Sequence, residues 1–267
     1  MAKHVLIIGG GPAGCSAAMT LRLRGEDVTI LYSGEGALGR AKRVDNYPGL
    51  AQMPGGEMLS AFRRQAEEMG AALRPGVARY IQRTRRGFTV LAGEDMIACD
   101  AVLLASGVAR VNLIPGEEAL VGRGVSYCAT CDGMLYRGKR AAVIGLAADA
   151  PAEADFLREI GCDVHYYDGK KHRFEIRGAE RADTLVVDGA AEPADVIFVL
   201  RAGFAADTLL PGLATEKGHI VVDEAYAASI PGVFAAGDCT GAPYQIPAAV
   251  GEGNCAALSV VRWLRNA

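Results

Sequence analysis

The sequence has no uninterrupted apolar stretch of about eighteen residues, which argues against an apolar membrane-spanning helix. No cleavable hydrophobic region separates Met1-Ala2-Lys3-His4 from the first strand-like run, so the chain is expected to be soluble and cytoplasmic. Paired cysteines are also scarce. Seven is an odd number, and Cys15, Cys99, Cys162, Cys239 and Cys255 stand singly, a pattern that argues against a secreted disulfide framework and fits a reducing compartment. Neither sign of charge dominates. The formal net charge is −3 and the sequence pI near 5.9, which gives no footing for a nucleic acid or an anionic membrane as partner. What the chain does have is apolar material. With 51% hydrophobic residues in 267, it can build two compact cores or one large one.

The one tight thiol pair is Cys128-Ala129-Thr130-Cys131, followed at once by Asp132-Gly133. Two cysteines at this spacing at a helix start can close a strained disulfide, and the helix N-terminus stabilises the thiolate that reopens it. The competing reading is half of a zinc site. Zinc wants two further ligands at similar spacing, and the scattered cysteines do not offer them, so redox chemistry is favoured over metal.

Along the chain, Val5-Leu6-Ile7-Ile8 reads as a buried parallel strand, and Gly9-Gly10-Gly11-Pro12-Ala13-Gly14 opens a helix over about residues 13–24. Each glycine at positions 9, 11 and 14 has a reason: a tight turn, close backbone approach to a pyrophosphate, and helix packing on the strand. Asp27 to Leu31 supplies a second strand. It ends in Tyr32-Ser33 rather than in an acid for a ribose hydroxyl, and Glu35 reads as a solvated loop carboxylate. Residues 45–49 form a turn-rich loop, and an amphipathic helix follows over 56–72. Residues 77–100 read as a meander of short strands leading into the buried strand 101–105. The arginines at 79, 83, 85 and 86 form a basic patch, for which a solvated strand face is the plainer explanation.

Leu113-Ile114-Pro115-Gly116 looks like a crossover into a second domain. There the strand Arg140 to Gly145, a helix over about 150–160 and the strand Asp163 to Tyr167 repeat the opening layout. The glycines do not repeat. The second turn reads Gly145-Leu146-Ala147-Ala148-Asp149-Ala150, so Ala147 puts a methyl group where a pyrophosphate needs bare backbone. Asp149 reads as an N-cap that places a carboxylate where a phosphate would sit. Asp168 follows the second strand at the distance expected of a ribose-binding acid, so a nicotinamide nucleotide stays open as an alternative. Near the C-terminus, Gly232 to Asp238 is a buried strand ending in an acid. Gln245-Ile246-Pro247 then opens a helix over about 248–265, whose N-terminus could polarise a flavin carbonyl.

With Gly9 to Gly14, Cys128 to Gly133 and Gly237-Asp238 in this order, the chain closely resembles the low-molecular-weight thioredoxin reductases. Ala105-Ser106-Gly107, Gly122 to Cys128, and Gln245 with Ala248 to Gly251 are supporting matches. The resemblance implies an α/β chain with two Rossmann-like three-layer domains of the FAD/NAD(P)-linked disulfide reductase type, the second degenerate and shortened. It implies an FAD domain made of 1–111 and 232–267, an inserted redox domain over 112–231, and a homodimer. It assigns Gly9, Gly11, Pro12, Ala13 and Gly14 to the FAD pyrophosphate and Asn46 and Pro48 to the loop near the isoalloxazine. Asp238, Gln245, Ile246 and Ala248 fall at the ribityl and ring, and Ala105, Ser106, Gly107 and Gly237 complete the cofactor-binding set. Cys131 would face the flavin, Cys128 would exchange with thioredoxin, and Asp132 would act as acid/base. No metal is implied.

The departures from that family lie in the inserted domain. Its NADPH signature has an intact glycine motif and a His-Arg-Arg-x-x-x-Arg run, where this chain has Tyr166-Tyr167-Asp168-Gly169-Lys170-Lys171-His172-Arg173 and a shorter domain. That pattern is similar to the ferredoxin-dependent flavin thioredoxin reductases. It implies the order ferredoxin, FAD, Cys128/Cys131, thioredoxin, with basic surface patches as conceivable ferredoxin contacts and domain rotation between the two partners. An NAD(P)H-dependent reductase with a divergent pocket, a dithiol oxidase using oxygen, a second flavin in the degenerate domain and a non-catalytic FAD-binding regulator are the alternatives.

Overall fold

The computed structural model describes residues 2–50, 52–93, 95–107, 113–120, 122–127, 129–147, 150–201 and 206–266, with Glu118, Thr130 and Cys131 described by backbone alone. The first half of the chain runs β1 (His4–Ile8), α1 (Pro12–Leu23), β2 (Asp27–Tyr32), α2 (Gly36–Gly39), α3 (Gly55–Glu68), β3 (Ala72–Pro75), β4 (Ala78–Thr84), β5 (Gly87–Ala92), β6 (Asp95–Cys99) and β7 (Ala101–Leu104). It continues with α4 (Glu117–Leu120), β8 (Val125–Ser126), α5 (Ala129–Asp132), β9 (Arg140–Gly145), α6 (Ala150–Glu159), β10 (Asp163–Asp168), β11 (Phe174–Arg177), β12 (Thr184–Val187), β13 (Ala190–Pro193) and β14 (Val196–Leu200). The last stretch holds α7 (Ala206–Leu209), β15 (Thr215–Glu216), β16 (His219–Ile220), β17 (Val233–Ala235) and α8 (Ile246–Asn266). None of the described helices is long and apolar enough to cross a membrane.

The chain divides into two units, 1–109 with 205–267, and 110–204. In the first, the sheet order is β17-β7-β1-β2-β3 with every pair parallel. Because α1 leads from β1 to β2 on one side while β7 lies on the other, the order reverses at β1, where such sheets open a crevice at the strand carboxyl ends. β1 and β7 are wholly buried apart from the first residue of β1, as a strand covered on both faces must be. Helices α1 and α8 pack together in the same core cluster. Their contact is close enough that a Cβ on Gly253 would stand 2.1 Å from the Ala13 carbonyl oxygen. Ser16 and Thr20 on α1 donate to the Val250 carbonyl and the Asn254 side chain on α8, at 2.7 and 2.8 Å.

The boundary expected at 231/232 is wrong, because the chain rejoins the first unit at residue 205. The cause is local. Helix α7 packs on β4, Leu209, Leu210, Leu213 and Ile220 are buried, and Ala227 bridges Phe234 in β17. These apolar residues belong to the first unit, although the composition does not change until the glycine before β17.

In the second unit β10-β9-β14-β8 is again parallel and again reverses beside the strand that opens the repeat, here β9. A separate antiparallel sheet, β11-β12-β13, follows. One ion pair is buried here: the Arg201 guanidinium donates to Glu117 at 2.8 Å, with Glu117 fully buried and also accepting the Ile114 N–H at 2.8 Å.

Two outcomes follow from this packing. Gly253→Ala forces a methyl group onto the Ala13 backbone and is expected to cost about 1–3 kcal/mol in urea unfolding, lowering Tm. Arg201→Met strands a buried carboxylate and is expected to cost about 3–5 kcal/mol, most of it recovered in the double variant Glu117→Gln/Arg201→Met by the same measurement.

Candidate active site

The turn after β1 lies at the carboxyl edge of the first sheet. Gly9 takes φ +119° there, and a Cβ on it would sit 2.1 Å from the Ala105 carbonyl oxygen at the end of β7. Only glycine allows both. Gly14 meets Gly9 as closely, its missing Cβ falling 1.9 Å from the Gly9 oxygen. Gly11 differs: nothing lies within 4 Å of its Cβ position. Helix α1 starts there with Pro12 in its first turn and no side-chain cap, so its first-turn N–H groups face an open cradle. Such a corner suits a diphosphate.

Gly237 and Asp238 follow β17 into the same corner, with the Gly237 Cβ position 2.9 Å from the Ala13 methyl. Glu252 on α8 accepts the Gly237 N–H at 2.7 Å. Asp238 is half-buried, and desolvation, with Glu252 adding to it, raises its carboxyl pKa above the ordinary value. Cys239 is buried beneath, donating to the Leu104 carbonyl while Ser106 and Gly107 N–H groups point to its sulfur. Gly9, Gly11, Pro12, Ala13, Gly14, Ala105, Ser106, Gly107, Gly237 and Asp238 are therefore gathered at one edge.

A cavity of about 420 Å³ opens in the same unit, lined by Ala41, Arg43, Val44, Asp45, Asn46, Tyr244, Gln245 and Ile246. It unites Asn46 with Gln245 and Ile246 across two distant stretches of sequence. Pro48 and Ala248 lie beside its lining residues in the chain and do not line it. Gln245 accepts the Ala249 N–H at 3.0 Å, which sets the start of α8 at the cavity. The open Gly11 cradle, the acid at 238 and this slot fit an adenine dinucleotide carrying a broad planar ring.

Sequence reasoning missed Arg63. From α3 it donates to the Gly10 and Gly34 carbonyls at 2.9 and 2.8 Å, with its guanidinium 4.1 Å from the Tyr32 ring centroid. It stands at the end of β2, where an acid was sought. One arginine on the polar face of an amphipathic helix gives no sign of this. Glu252, inside a helix read only as helix, was missed for the same reason.

In the second unit Cys128 lies outside the described residues, as does the Cys131 side chain. Asp132 ends α5 and accepts the Ser126 hydroxyl at 2.7 Å, which holds its carboxylate in place. At Gly133 a Cβ would stand 2.8 Å from Leu157 and Ile160, so α5 and α6 meet tightly only because that position is bare. Met134 and Leu135, next in the chain, are 57% and 75% exposed. The remaining cysteines are unpaired. Burial holds the Cys15 and Cys239 thiols up at about 11 and Cys99 at about 12, so they stay protonated near neutrality and are poor nucleophiles. Among the described residues no group of His, Cys, Asp or Glu could hold a metal ion.

The second glycine corner is filled. The Leu146 and Ala147 N–H groups both donate to the Leu200 carbonyl, at 2.7 and 3.0 Å. The Tyr166 hydroxyl lies 2.2 Å from the Cβ position of Gly145, and Leu146 packs on Gly169. Asp168 is turned to its own loop: it accepts the Lys170 N–H at 3.0 Å and pairs with Lys171 at 3.1 Å, contacts that lower its pKa. The N-cap expected at Asp149 lies outside the described residues.

The family described as pyridine nucleotide-disulphide oxidoreductase matches residues 3–174 and 170–253. A thioredoxin reductase of Mycolicibacterium smegmatis is 31% identical over 299 residues, spanning 97% of this chain and 96% of its own. One of Listeria innocua is 30% identical over 300 residues, 98% and 94% of the two chains. Among solved structures, a ferredoxin-flavin thioredoxin reductase from Clostridium acetobutylicum is similar with a TM-score of 0.92 at 33% identity, covering 100% of this chain and 99% of that one. Thioredoxin reductases of this family are FAD flavoproteins, and the cradle, acid and slot described above fit that cofactor. With the parallel sheet reversing at β1 and the glycine corner intact above it, the chain belongs to the pyridine nucleotide-disulphide oxidoreductase family, among its thioredoxin reductase-type flavoproteins.

Proposed function

We propose that the protein is a ferredoxin-dependent thioredoxin reductase: it takes single electrons from reduced ferredoxin and passes pairs to the disulfide of thioredoxin. The observation that carries the reading is the closed second corner, where Leu200 takes the N–H groups of Leu146 and Ala147 and Tyr166 covers Gly145. A nicotinamide nucleotide needs those groups bare for its pyrophosphate. Asp168, the feature that favoured a nucleotide, is engaged by Lys170 and Lys171. The similarity to a ferredoxin-flavin thioredoxin reductase points the same way.

FAD, when bound, supplies the conversion between one-electron and two-electron chemistry, so no hydride donor is required. Gly9, Gly11, Pro12, Ala13 and Gly14 would hold its pyrophosphate, Asp238 a ribityl hydroxyl, and Asn46, Gln245 and Ile246 the ring. Ala105, Ser106, Gly107 and Gly237 would form the backbone walls, with Pro48 and Ala248 behind them.

In the second unit, the Cys128 thiolate attacks one sulfur of the thioredoxin disulfide, and the other sulfur leaves and takes a proton. The Cys131 thiolate then attacks Cys128 in the mixed disulfide and releases the second thioredoxin sulfur, leaving Cys128 and Cys131 oxidised. Two electrons and two protons have passed to thioredoxin. Asp132, oriented by Ser126, is placed to handle those protons at the sulfurs. Exposed Met134 and Leu135, which follow the thiol motif in the chain, offer an apolar surface for a protein substrate. Cysteines left unpaired at all five other positions accord with work in the reducing cytoplasm, and the family resemblance supports a homodimer.

Anaerobic stopped-flow mixing is expected to show FAD bleaching by reduced ferredoxin and none by NADPH or NADH on the same timescale; fast bleaching by NADPH would end the reading. Cys131→Ser is expected to abolish thioredoxin reduction. Asp132→Asn should lower it by about 10²-fold or more, with FAD reduction by ferredoxin intact in both, measured by flavin absorbance and by thioredoxin thiol release.

A further inference from the structure

We infer that loop 40–43 and Tyr244, at the rim of the cavity holding Asn46 and Gln245, form the docking surface for an acidic one-electron carrier protein. The inference rests on the proposed function and names where its donor lands.

The cavity is where candidate ring-binding residues reach the surface, and its wall includes Arg43 and Tyr244. The loop beside it is anchored from within. Leu38 and Val44 are buried, the Ala41 N–H donates to the Leu38 carbonyl and the Gly55 N–H to the Ala41 carbonyl, both at 2.9 Å, and Val44 bridges Met53. Those anchors leave Arg40, Lys42 and Arg43 exposed. Arg43 pairs with Asp45 at 2.9 Å, whereas Arg40 and Lys42 form no ion pair among the described residues. Two exposed cations without an ion pair among the described residues therefore flank Ala41, which lines the slot.

Tyr244 completes the rim. It is 54% exposed, yet its hydroxyl is tied to the His219 Nε2 at 3.0 Å and its ring leans on the imidazole at 6.0 Å. A large side chain already held in place loses little freedom when a partner covers it, and Tyr and Arg are the residues that concentrate at protein interfaces. A basic rim steers an acidic partner and sets its orientation. Electron transfer between proteins demands that the two redox groups come into near contact, so the rim of the ring slot is the useful place for that steering.

A second exposed basic group in this unit is badly placed. Arg83, Arg85 and Arg86 surround the β4–β5 turn, and Gly87 in that turn lies against Cys99 and Asp100. Asp100 accepts the His4 N–H at 2.8 Å, which sets the turn at the amino end of β1, opposite the glycine corner. A carrier bound there would have the whole sheet between itself and the slot. The arginine patch at 79–86 is thereby set aside as the carrier's landing place.

The test follows flavin absorbance in anaerobic stopped-flow at low salt, with reduced ferredoxin and, separately, dithionite as a small donor that needs no docking surface. Arg40→Gln/Lys42→Gln is expected to slow reduction by ferredoxin about tenfold, with dithionite rates within about twofold of the parent and the difference fading at high salt. Arg83→Gln/Arg86→Gln serves as a control of equal charge and should track the parent. If the first variant keeps the parental ferredoxin rate, or the control loses as much, the docking surface is wrong while the electron donor stands. If the parent itself is reduced by dithionite and not by ferredoxin, the proposed function falls and the surface with it. Intact dithionite reduction and FAD content show that each variant is folded and loaded.

Discussion

Backbone N–H groups at the carboxyl end of a parallel strand can bond to a ligand or to the protein, and not to both. In the first unit, Gly11 leaves the start of α1 uncapped and uncrowded. In the second, the N–H groups of Leu146 and Ala147, which stand where Gly10 and Gly11 stand in the first, are held by Leu200, one strand over in β14. The two units share a strand-helix-strand opening and a reversal of strand order, so the difference between them is made almost wholly at these corners. It leaves one copy of the layout open at its corner and the other closed.

The rest of the first unit serves that open corner. Because Gly14 and Gly253 carry no side chains, α1 can lie against both β1 and α8, and the Ser16 and Thr20 hydroxyls bond across the seam. This brings Asp238 and Glu252 beside one another; partial burial of Asp238 raises its pKa, and the nearby Glu252 adds to the rise. Arg63 closes the other side by bonding to the Gly10 and Gly34 carbonyls, which leaves the N–H side of the turn for an anion.

Three of the cysteines are kept unreactive on an equally simple basis. Thiols at 15, 99 and 239 are buried in apolar packing, which disfavours the charged thiolate and holds their pKa values well above neutrality. The backbone of Cys131 instead lies in the short helix α5, which the Ser126-Asp132 hydrogen bond holds and which exposed Met134 and Leu135 follow.

Local order was legible from the amino acids alone. Glycine spacing after an apolar run and the strand leading to Gly237 each specify a turn or strand by short-range sterics, and those elements formed close to where they were expected. The extent of the second unit was not legible, since α7 and β16 belong to the first only through burial of Leu209, Leu213 and Ile220. Nor could sequence say that Asp168 would turn to Lys170 and Lys171, that Arg63 would bond to the glycine turn, or that Tyr244 would share a cavity with Asn46. The sequence by itself determined which backbone corners could be bare, because a missing Cβ is a property of the residue. Only the tertiary structure decided which groups fill or rim those corners, because a carbonyl, a guanidinium or a phenol finds its partner through folding that joins distant parts of the chain.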